Sequence, residues 1–302
     1  MHRVSPTVGC MNRVSGAAQR LLGDRLAKFG LQRPLAVSDL TGRNKVPDRL
    51  SGKKIVVTGA SQGIGEAAAG ALASLGAELI LVARTPETLQ LVADRITAGG
   101  GAAHAVPGDL SSERDIARLL TTIITDHGVP DVVVNNAGRS IRRSVLDSTE
   151  RLHDYQRTMA LNYFGPVQLT LGLLPLMVER GSGHFVNIST WGVPAGSMPR
   201  FSAYAGSKAA IAAFGRSVAT ELRGTGVDVT TVYYPLIRTP MIAPTADYDT
   251  LPTLSADEAA EWIVYAIDER PVDVMPRYAR VLRGIGAADS GWADALTGRT
   301  AI

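Results

Sequence analysis

The chain has little of what staples or metallates a small fold. Its 302 residues include one cysteine, Cys10. A single thiol excludes an internal disulfide framework and a thiolate metal centre, and it fits a reducing compartment. His104, His127, His153 and His184 show no ligand-like spacing. They read as surface or supporting residues, and no metal site is expected. No run approaches the roughly 18 uninterrupted apolar residues that mark a transmembrane candidate, so no transmembrane segment is expected. A secretory h-region is likewise not found. The expected location is cytoplasmic.

What is present is an ordinary globular composition, 45% hydrophobic and 20% charged, with a net charge of +3. That suffices to bury a core. The charge is unevenly spread. Residues 1–50 carry nine basic groups (Arg3, Arg13, Arg20, Arg25, Lys28, Arg33, Arg43, Lys45, Arg49) against Asp24, Asp39 and Asp48, a balance of +6 that leaves −3 for the rest. A basic arm precedes a mildly acidic body, and no nucleic-acid partner is expected. Within the arm Val14, Ala18, Leu21, Leu22, Leu26 and Phe29 fall at helical spacing with arginines between them, which predicts an amphipathic helix. Its plainer use is packing on the body or on a neighbouring subunit; its sharper use is peripheral contact with a membrane surface. The arginine-rich, acid-poor composition also matches that of a processed targeting peptide.

From Lys54 the pattern alternates. Strands are expected near 54–58, 78–83, 102–106, 131–135, 184–189 and 227–233, and helices near 63–75, 86–98, 112–127, 148–179, 202–223 and 256–269. Runs such as Leu79–Ala83 and Val132–Val134 are continuously apolar, as parallel strands covered on both faces should be. Strand-then-helix repetition with short connections predicts an α/β fold with one doubly wound parallel sheet and helices on both faces. No second core is evident, so residues 51–302 are expected to form a single domain. Pro166 predicts a kink or boundary in the 148–179 segment.

The stretch Ile55–Leu72 organises the rest. A buried strand runs into a turn holding Gly59, Gly63 and Gly65, and an alanine-rich helix follows. Such a turn aims helical N–H groups and the positive end of the helix dipole at one spot. Its glycines admit positive φ and let a diphosphate approach without meeting a Cβ. Dinucleotide binding is the expectation; the plain alternative is a glycine-rich βα turn. The second strand ends at Ala83-Arg84, where a site preferring NAD would place a carboxylate for the ribose 2′-OH. Arg84 is instead suited to a 2′-phosphate, which argues for NADP(H); the alternative is a solvated arginine. Asp109 is suited to accept from the adenine amino group, or else to cap the helix that starts near Ser112.

Asn135-Asn136-Ala137-Gly138 closes the fourth strand, on the side where parallel sheets bind ligands. Asn162 lies in the long helix, Ser189-Thr190 closes the fifth strand, and Tyr204-Ala-Gly-Ser-Lys208 opens the next helix. Residues i and i+4 share a helix face, so the Lys208 ammonium is expected beside the Tyr204 phenol. A neighbouring cation lowers a phenol's pKa from its free value of about 10, and a phenol so tuned exchanges a proton with a reacting oxygen.

Together these residues resemble the short-chain dehydrogenase/reductase family across about 54–270. The matching motifs are TGASQGIG (58–65), NNAG (135–138), Asn162 and YAGSK (204–208). The resemblance implies a Rossmann-type sheet of order 3-2-1-4-5-6-7 and an Asn-Ser-Tyr-Lys tetrad. Asn162, Tyr204 and Lys208 match directly. The serine position reads Thr190, with Ser189 adjacent, so either hydroxyl is a candidate for the substrate oxygen. Implied cofactor contacts are Gly59, Ser61, Gln62, Gly63, Ile64, Gly65, Arg84, Asp109, Leu110, Asn136, Ala137, Gly138, Tyr204, Lys208, Pro235, Ile237 and Thr239.

Longer strings are similar to those of bacterial aldehyde-forming fatty acyl-CoA reductases of this fold. They are NNAGRSIRRSVLDSTERLHDYQRTMALNYFG (135–165), PLIRTPMIAPT (235–245) and LPTLSADEAAEWIVYAIDERP (251–271). The implied reaction takes acyl-CoA and NADPH to fatty aldehyde, NADP+ and CoA. In it Tyr204 delivers the proton, the Thr190 or Ser189 hydroxyl stabilises the oxyanion, Lys208 binds the nicotinamide ribose, and Asn162 holds a water. A cysteine acyl-enzyme route would need Cys10, outside the alternating fold, and is set aside. Arg139, Arg142 and Arg143 are candidates for CoA phosphates or a solvated cluster. Trp191, Met198, Phe201, Met241 and Ile242 either line an acyl channel or close the core around two loops. Residues about 240–253 form the expected substrate lid. Two other functions stay open: a reductase or dehydrogenase of a lipophilic ketone or secondary alcohol, and a non-enzymatic NADPH-binding protein. Families of this fold associate through the helices at 148–179 and 202–223, which implies a homodimer or homotetramer.

Overall fold

The computed structural model describes residues 50–242, 251–292 and 294. The basic arm to residue 49, with Cys10 and the expected amphipathic helix, and residues 243–250 of the expected lid lie outside them.

Seven parallel strands run β1 (Lys54–Thr58), β2 (Glu78–Ala83), β3 (Ala102–Pro107), β4 (Val132–Asn135), β5 (Gly183–Thr190), β6 (Val227–Tyr234) and β7 (Asp273–Val274). Their order in the sheet is β3-β2-β1-β4-β5-β6-β7, as the resemblance implied. The order reverses between β1 and β4, where Ile55, Val56 and Val57 pair with Val132, Val133 and Val134.

Side chains alternate across a strand, and here the alternation splits the core in two. Ile55 and Val57 of β1, with Leu79 and Leu81 of β2, face one layer that holds Leu72, Leu89 and Ile263. Val56, Ile80 and Val82 face the other, with Ile116, Leu119, Leu169, Leu173 and Phe185. The first layer is built by α1 (Gly63–Ala73), α2 (Pro86–Ala98) and α8 (Ala256–Glu269). Small residues let α1 approach α8 closely: Ala68 and Ala69 are buried together with Ala259 and Ala260. Helix α8 starts on a full capping box, Ser255 with Glu258, which satisfies two otherwise orphaned N–H groups.

The opposite layer holds α3 (Glu113–Thr122), α4 (Leu152–Met159), α5 (Gly165–Arg180) and α7 (Ser202–Glu221). The helical segment expected at 148–179 is broken. A π turn at Ala160–Phe164 separates α4 from α5, and Pro166 sits in the first turn of α5. The boundary falls where Pro166 predicted it; Pro175 lies inside α5 without ending it. A second π turn, Ile123–His127, closes α3. By length and composition alone Leu152–Arg180 would cross a membrane. Here Thr158, Asn162, Leu169, Leu173 and Met177 are buried along it, the packing of a core helix. Two elements have no counterpart in the sequence reading, the short α6 (Gly192–Ala195) and α9 (Arg277–Ala288), and the seventh strand, implied only through the sheet order, is the two-residue β7.

Candidate active site

The carboxyl ends of β1, β2, β4, β5 and β6 open on a cleft of about 1280 Å³. Its floor is the glycine turn. Gly59 and Gly63 have φ of +66° and +60°, a region that L side chains enter only at a cost of roughly 1–2 kcal/mol. A Cβ on Gly65 would stand 2.2 Å from the Gly59 carbonyl oxygen, so only glycine fits. Gln62 caps α1 in an extended conformation and makes no side-chain cap bond. The first-turn N–H groups of α1 are therefore left to a ligand on the cleft side, as an anion would require. Ser61, Gln62, Gly63 and Ile64 line the cleft there, and Thr239 leans over Gly63. Arg84 lies where β2 ends, also on the cleft wall. The chemistry of these donors fits a dinucleotide diphosphate with an additional phosphate near Arg84.

The Asn135–Gly138 segment is tied to this floor by bonds the sequence reading did not anticipate. Thr58 Oγ1 donates to the Val134 carbonyl (3.1 Å) and accepts from the N–H groups of Asn136 (2.9 Å) and Ala137 (3.0 Å). Asn136 Nδ2 donates back to the Thr58 carbonyl at 2.8 Å. Asn136 thus braces the glycine turn with its amide, while Asn136, Ala137 and Gly138 still form cleft wall. Deeper, Asn135 Nδ2 donates to Asn187 Oδ1 (2.9 Å) and couples β4 to β5.

Asp109 and Leu110 line the cleft beyond β3. Asp109 is not the cap of α3: Ser112 is, accepting from the Asp115 N–H. Asp109 Oδ1 instead accepts from the Ser111 N–H (2.9 Å) and Oγ (2.6 Å). Burial pushes the Asp109 pKa up, but these bonds and the charges of Arg84 and Arg139 outweigh it and hold the carboxyl below its usual value.

The catalytic candidates meet on one wall. Tyr204 and Lys208 lie one turn apart on α7, and both reach the cleft beside Ser189 and Thr190. Lys208 Nζ donates to the Ile188 carbonyl at 2.7 Å, and burial pushes its pKa down from 10.5 to about 8. Asn162 sits in the π turn, where Oδ1 accepts from the Arg139 N–H and Nδ2 donates to the Arg139 carbonyl and Ser207 Oγ, each at 2.9 Å. Ser207 in turn donates to the Tyr204 carbonyl at 2.7 Å. Both amide protons of Asn162 are thereby used, so its side chain fixes α7 against the Arg139 loop rather than donating to a water. Ser207 was missed as a site residue, although its place three residues after Tyr204 and one before Lys208 puts it in the same turn.

Ser189 Oγ donates to the Lys208 carbonyl at 3.1 Å. Its proton serves the β5–α7 contact; Thr190, at the end of β5, lines the cleft as Ser189 does. A second phenol, Tyr234, also lines the cleft, but it donates to the Ala259 carbonyl and burial raises its pKa well above 10. Of these two phenols that line the cleft, Tyr204 is the one that stands one helical turn before Lys208, as the candidate for acid–base work requires. Pro235, Ile237 and Thr239 follow β6 along the opposite lip. That lip is held by a parallel bridge between Ile237 and Leu254, with Arg238 N–H donating to the Leu254 carbonyl at 2.8 Å.

At the outer end Trp191, Met198, Phe201, Met241 and Ile242 form an apolar wall. Arg139, Arg142 and Arg157 stand at the rim. Arg143 is not part of the cleft wall; its Nε lies 3.7 Å from Asp154, a buried carboxylate that meets Arg151 at 2.8 Å and also pairs with the rim residue Arg157. Hydrogen bonds from Arg151 and Arg157 hold the Asp154 pKa at about 2.

Comparison with known proteins agrees with this geometry. The profile of the family described as short chain dehydrogenase matches residues 53–249. A fatty acyl-CoA reductase of Mycobacterium tuberculosis is 46% identical over 281 residues, 93% of this chain and 96% of that protein. A fatty acyl-CoA reductase of Acinetobacter baylyi is 47% identical, covering 78% of this chain and 79% of its own. Among solved structures, a short-chain dehydrogenase from Sphingobium yanoikuyae in complex with NADPH superposes with a TM-score of 0.69 at 27% identity, over 80% of this chain and 96% of that one. A metagenomic short-chain oxidoreductase in complex with NADP gives 0.62 at 33% identity, over 72% of this chain and 90% of its own.

Proposed function

The chain belongs to the short-chain dehydrogenase/reductase family of nicotinamide-dependent oxidoreductases, and from that premise we propose that it reduces long-chain fatty acyl-CoA to fatty aldehyde with NADPH. The observation that carries this reading is a cleft with two unlike ends. One end offers a glycine turn, a helix N-terminus and Arg84; the other offers an apolar wall with arginines at its rim. The names of the two fatty acyl-CoA reductase relatives support the acyl-CoA substrate, and the NADPH-bound relative supports the cofactor.

The cofactor would lie on Gly59–Gly65, with its 2′-phosphate on Arg84, adenine near Asp109 and Leu110, and carboxamide near Pro235, Ile237 and Thr239. When bound, it supplies a hydride to the thioester carbonyl carbon. Thr190 Oγ1 and the Tyr204 hydroxyl donate to the carbonyl oxygen, preorganised for the negative charge that develops there. Tyr204 then transfers its proton to that oxygen. Lys208, fixed by the Ile188 carbonyl, holds positive charge beside the phenol and ribose. The Tyr204 phenolate retakes that proton as the carbonyl reforms and the C–S bond breaks, and CoA leaves with the bonding pair as thiolate, which takes up the proton consumed overall from water. Acyl-CoA, NADPH and a proton give aldehyde, NADP+ and CoA. Arg139, Arg142 and Arg157 would meet the CoA phosphates, and the apolar wall would hold the acyl chain. The reading places the reaction in the cytoplasm.

The test mixes acyl-CoAs of graded chain length with NADPH or NADH and follows free thiol alongside NADPH absorbance. Thiol release matching NADPH loss, faster with NADPH than with NADH, is expected. NADPH oxidation without thiol, or faster turnover of ketones than of any acyl-CoA, would replace this reading with that of a lipophilic ketone reductase.

A further inference from the structure

Three side chains at the opposite end of the sheet from the cleft converge with no part in this chemistry. Glu78 opens β2, His104 lies in β3 on the same face, and His127 ends the π turn that closes α3. Their ligand atoms all lie within 4.8 Å of one another. We propose that Glu78, His104 and His127 bind a borderline divalent metal ion of the zinc type, with water in the fourth position.

One edge of the cluster already has the length a tetrahedral ion requires. Bonds of about 2.0–2.1 Å to imidazole nitrogen and carboxylate oxygen give ligand-to-ligand edges of about 3.4 Å. His104 Nε2 stands 3.4 Å from Glu78 Oε1. The two imidazole centroids are 4.7 Å apart and tilted by 45°, which brings a ring nitrogen of His127 into the cluster beside His104 and Glu78. An ordinary ion pair would account for Glu78 and His104, but surface pairs of that kind contribute roughly 0–1 kcal/mol and do not need His127. The His104 side chain is 47% exposed and that of Glu78 33%, which leaves an entry path from solvent. Lys54 is the nearby cation, and its ammonium is held on the His127 main-chain carbonyl.

Two imidazoles and one carboxylate favour Zn2+ and its neighbours over Mg2+ or Ca2+, which prefer all-oxygen sites. Bound there, the ion would clamp the edge strand β3 to β2 and to the end of α3. The sequence showed no ligand spacing because each donor comes from a different element.

The test uses the full chain, stripped with a chelator, loaded with Zn2+ or Mg2+ and desalted before metal content and melting temperature are measured. About one retained Zn2+ per chain and a rise in Tm on the order of 2–4 °C are expected, with no change from Mg2+. His104→Asn with His127→Asn should abolish both effects and leave reductase turnover at the wild-type level. Glu78→Gln should weaken retention and serves as the second test if the double variant does not fold. No retained Zn2+ would overturn the site; equal retention by the variants would overturn it too and assign the metal to donors elsewhere, such as Cys10.

Discussion

An ammonium taken out of water loses its hydration shell, and Lys208 is given one carbonyl, that of Ile188 at 2.7 Å, in exchange. Burial lowers its pKa from 10.5 to about 8. Between those values the unfolded chain binds the proton and the folded chain does not, so stability rises with pH across that window. Below about pH 8 the full penalty of the buried charge is present. Activity should run the other way, declining above about pH 8 as the ammonium beside Tyr204 is lost. Lys208→Met should abolish turnover and flatten the stability rise between pH 8 and 10, read as the difference between variant and wild type in denaturant titrations. A second contrast separates two neighbouring hydroxyls. Thr190→Val should lower kcat by about 10²–10³, the usual loss for one oxyanion donor, with little change in melting temperature. Ser189→Ala should keep most of kcat and cost about 1 kcal/mol of stability, the net worth of one buried hydrogen bond. The reverse pattern would hand the catalytic role to Ser189. Tyr204 and Lys208 were legible from their four-residue spacing on a helix, because that spacing is local. Ser189 against Thr190 was not, since strand ends leave the last residue's facing to the packing of α7.

Within the elements, the glycine turn and the strand it leaves are held by contacts that single atoms decide. Gly65→Ala would drive a Cβ to within 2.2 Å of the Gly59 carbonyl, which is backbone and cannot rotate aside. Forcing extra volume into a packed site costs about 1–3 kcal/mol or more, so the variant should melt earlier and bind NADPH at least tenfold more weakly. Thr58→Val keeps the shape but removes the acceptor for two N–H groups, those of Asn136 and Ala137. Each orphaned buried donor costs about 1–3 kcal/mol, and the loss should appear in denaturation midpoints even without cofactor. Thr58→Ser, retaining the hydroxyl, should recover most of it. The strands and main helices were readable because their periodicity is strong and the sheet buries both faces. The π turn at Ala160–Phe164 was not, because nothing in residue type marks where a helix takes one extra residue; only the nearby Pro166 hinted at it. The seventh strand was implied by the resemblance, but its position was not readable because two residues show no period; its place is set by pairing with Thr231 and Val232 of β6.

For the molecule as a whole, the open matter is the outer face of the α4–α5 segment. Leu169, Leu173 and Met177 point into the core, and Phe164, Leu171 and Val178 recur at seven-residue steps on the far side. Phe164 is 51% and Leu171 58% exposed. Such a stripe gains nothing from water, and a second copy of the same stripe would cover it symmetrically. The family resemblance implied association through this segment and α7. We expect the protein to elute as a dimer or tetramer in size-exclusion chromatography with light scattering. Because Leu171 is exposed in the single chain, Leu171→Asp should leave folding within about 0.5 kcal/mol of wild type, as surface changes usually do. In an interface, the same carboxylate would be buried against apolar partners and should weaken association by about tenfold or more. A wild-type protein that is monomeric at micromolar concentration, or a Leu171→Asp protein with an unchanged oligomer, would remove this face from the assembly. The second result would direct the search to α7 and to the basic arm.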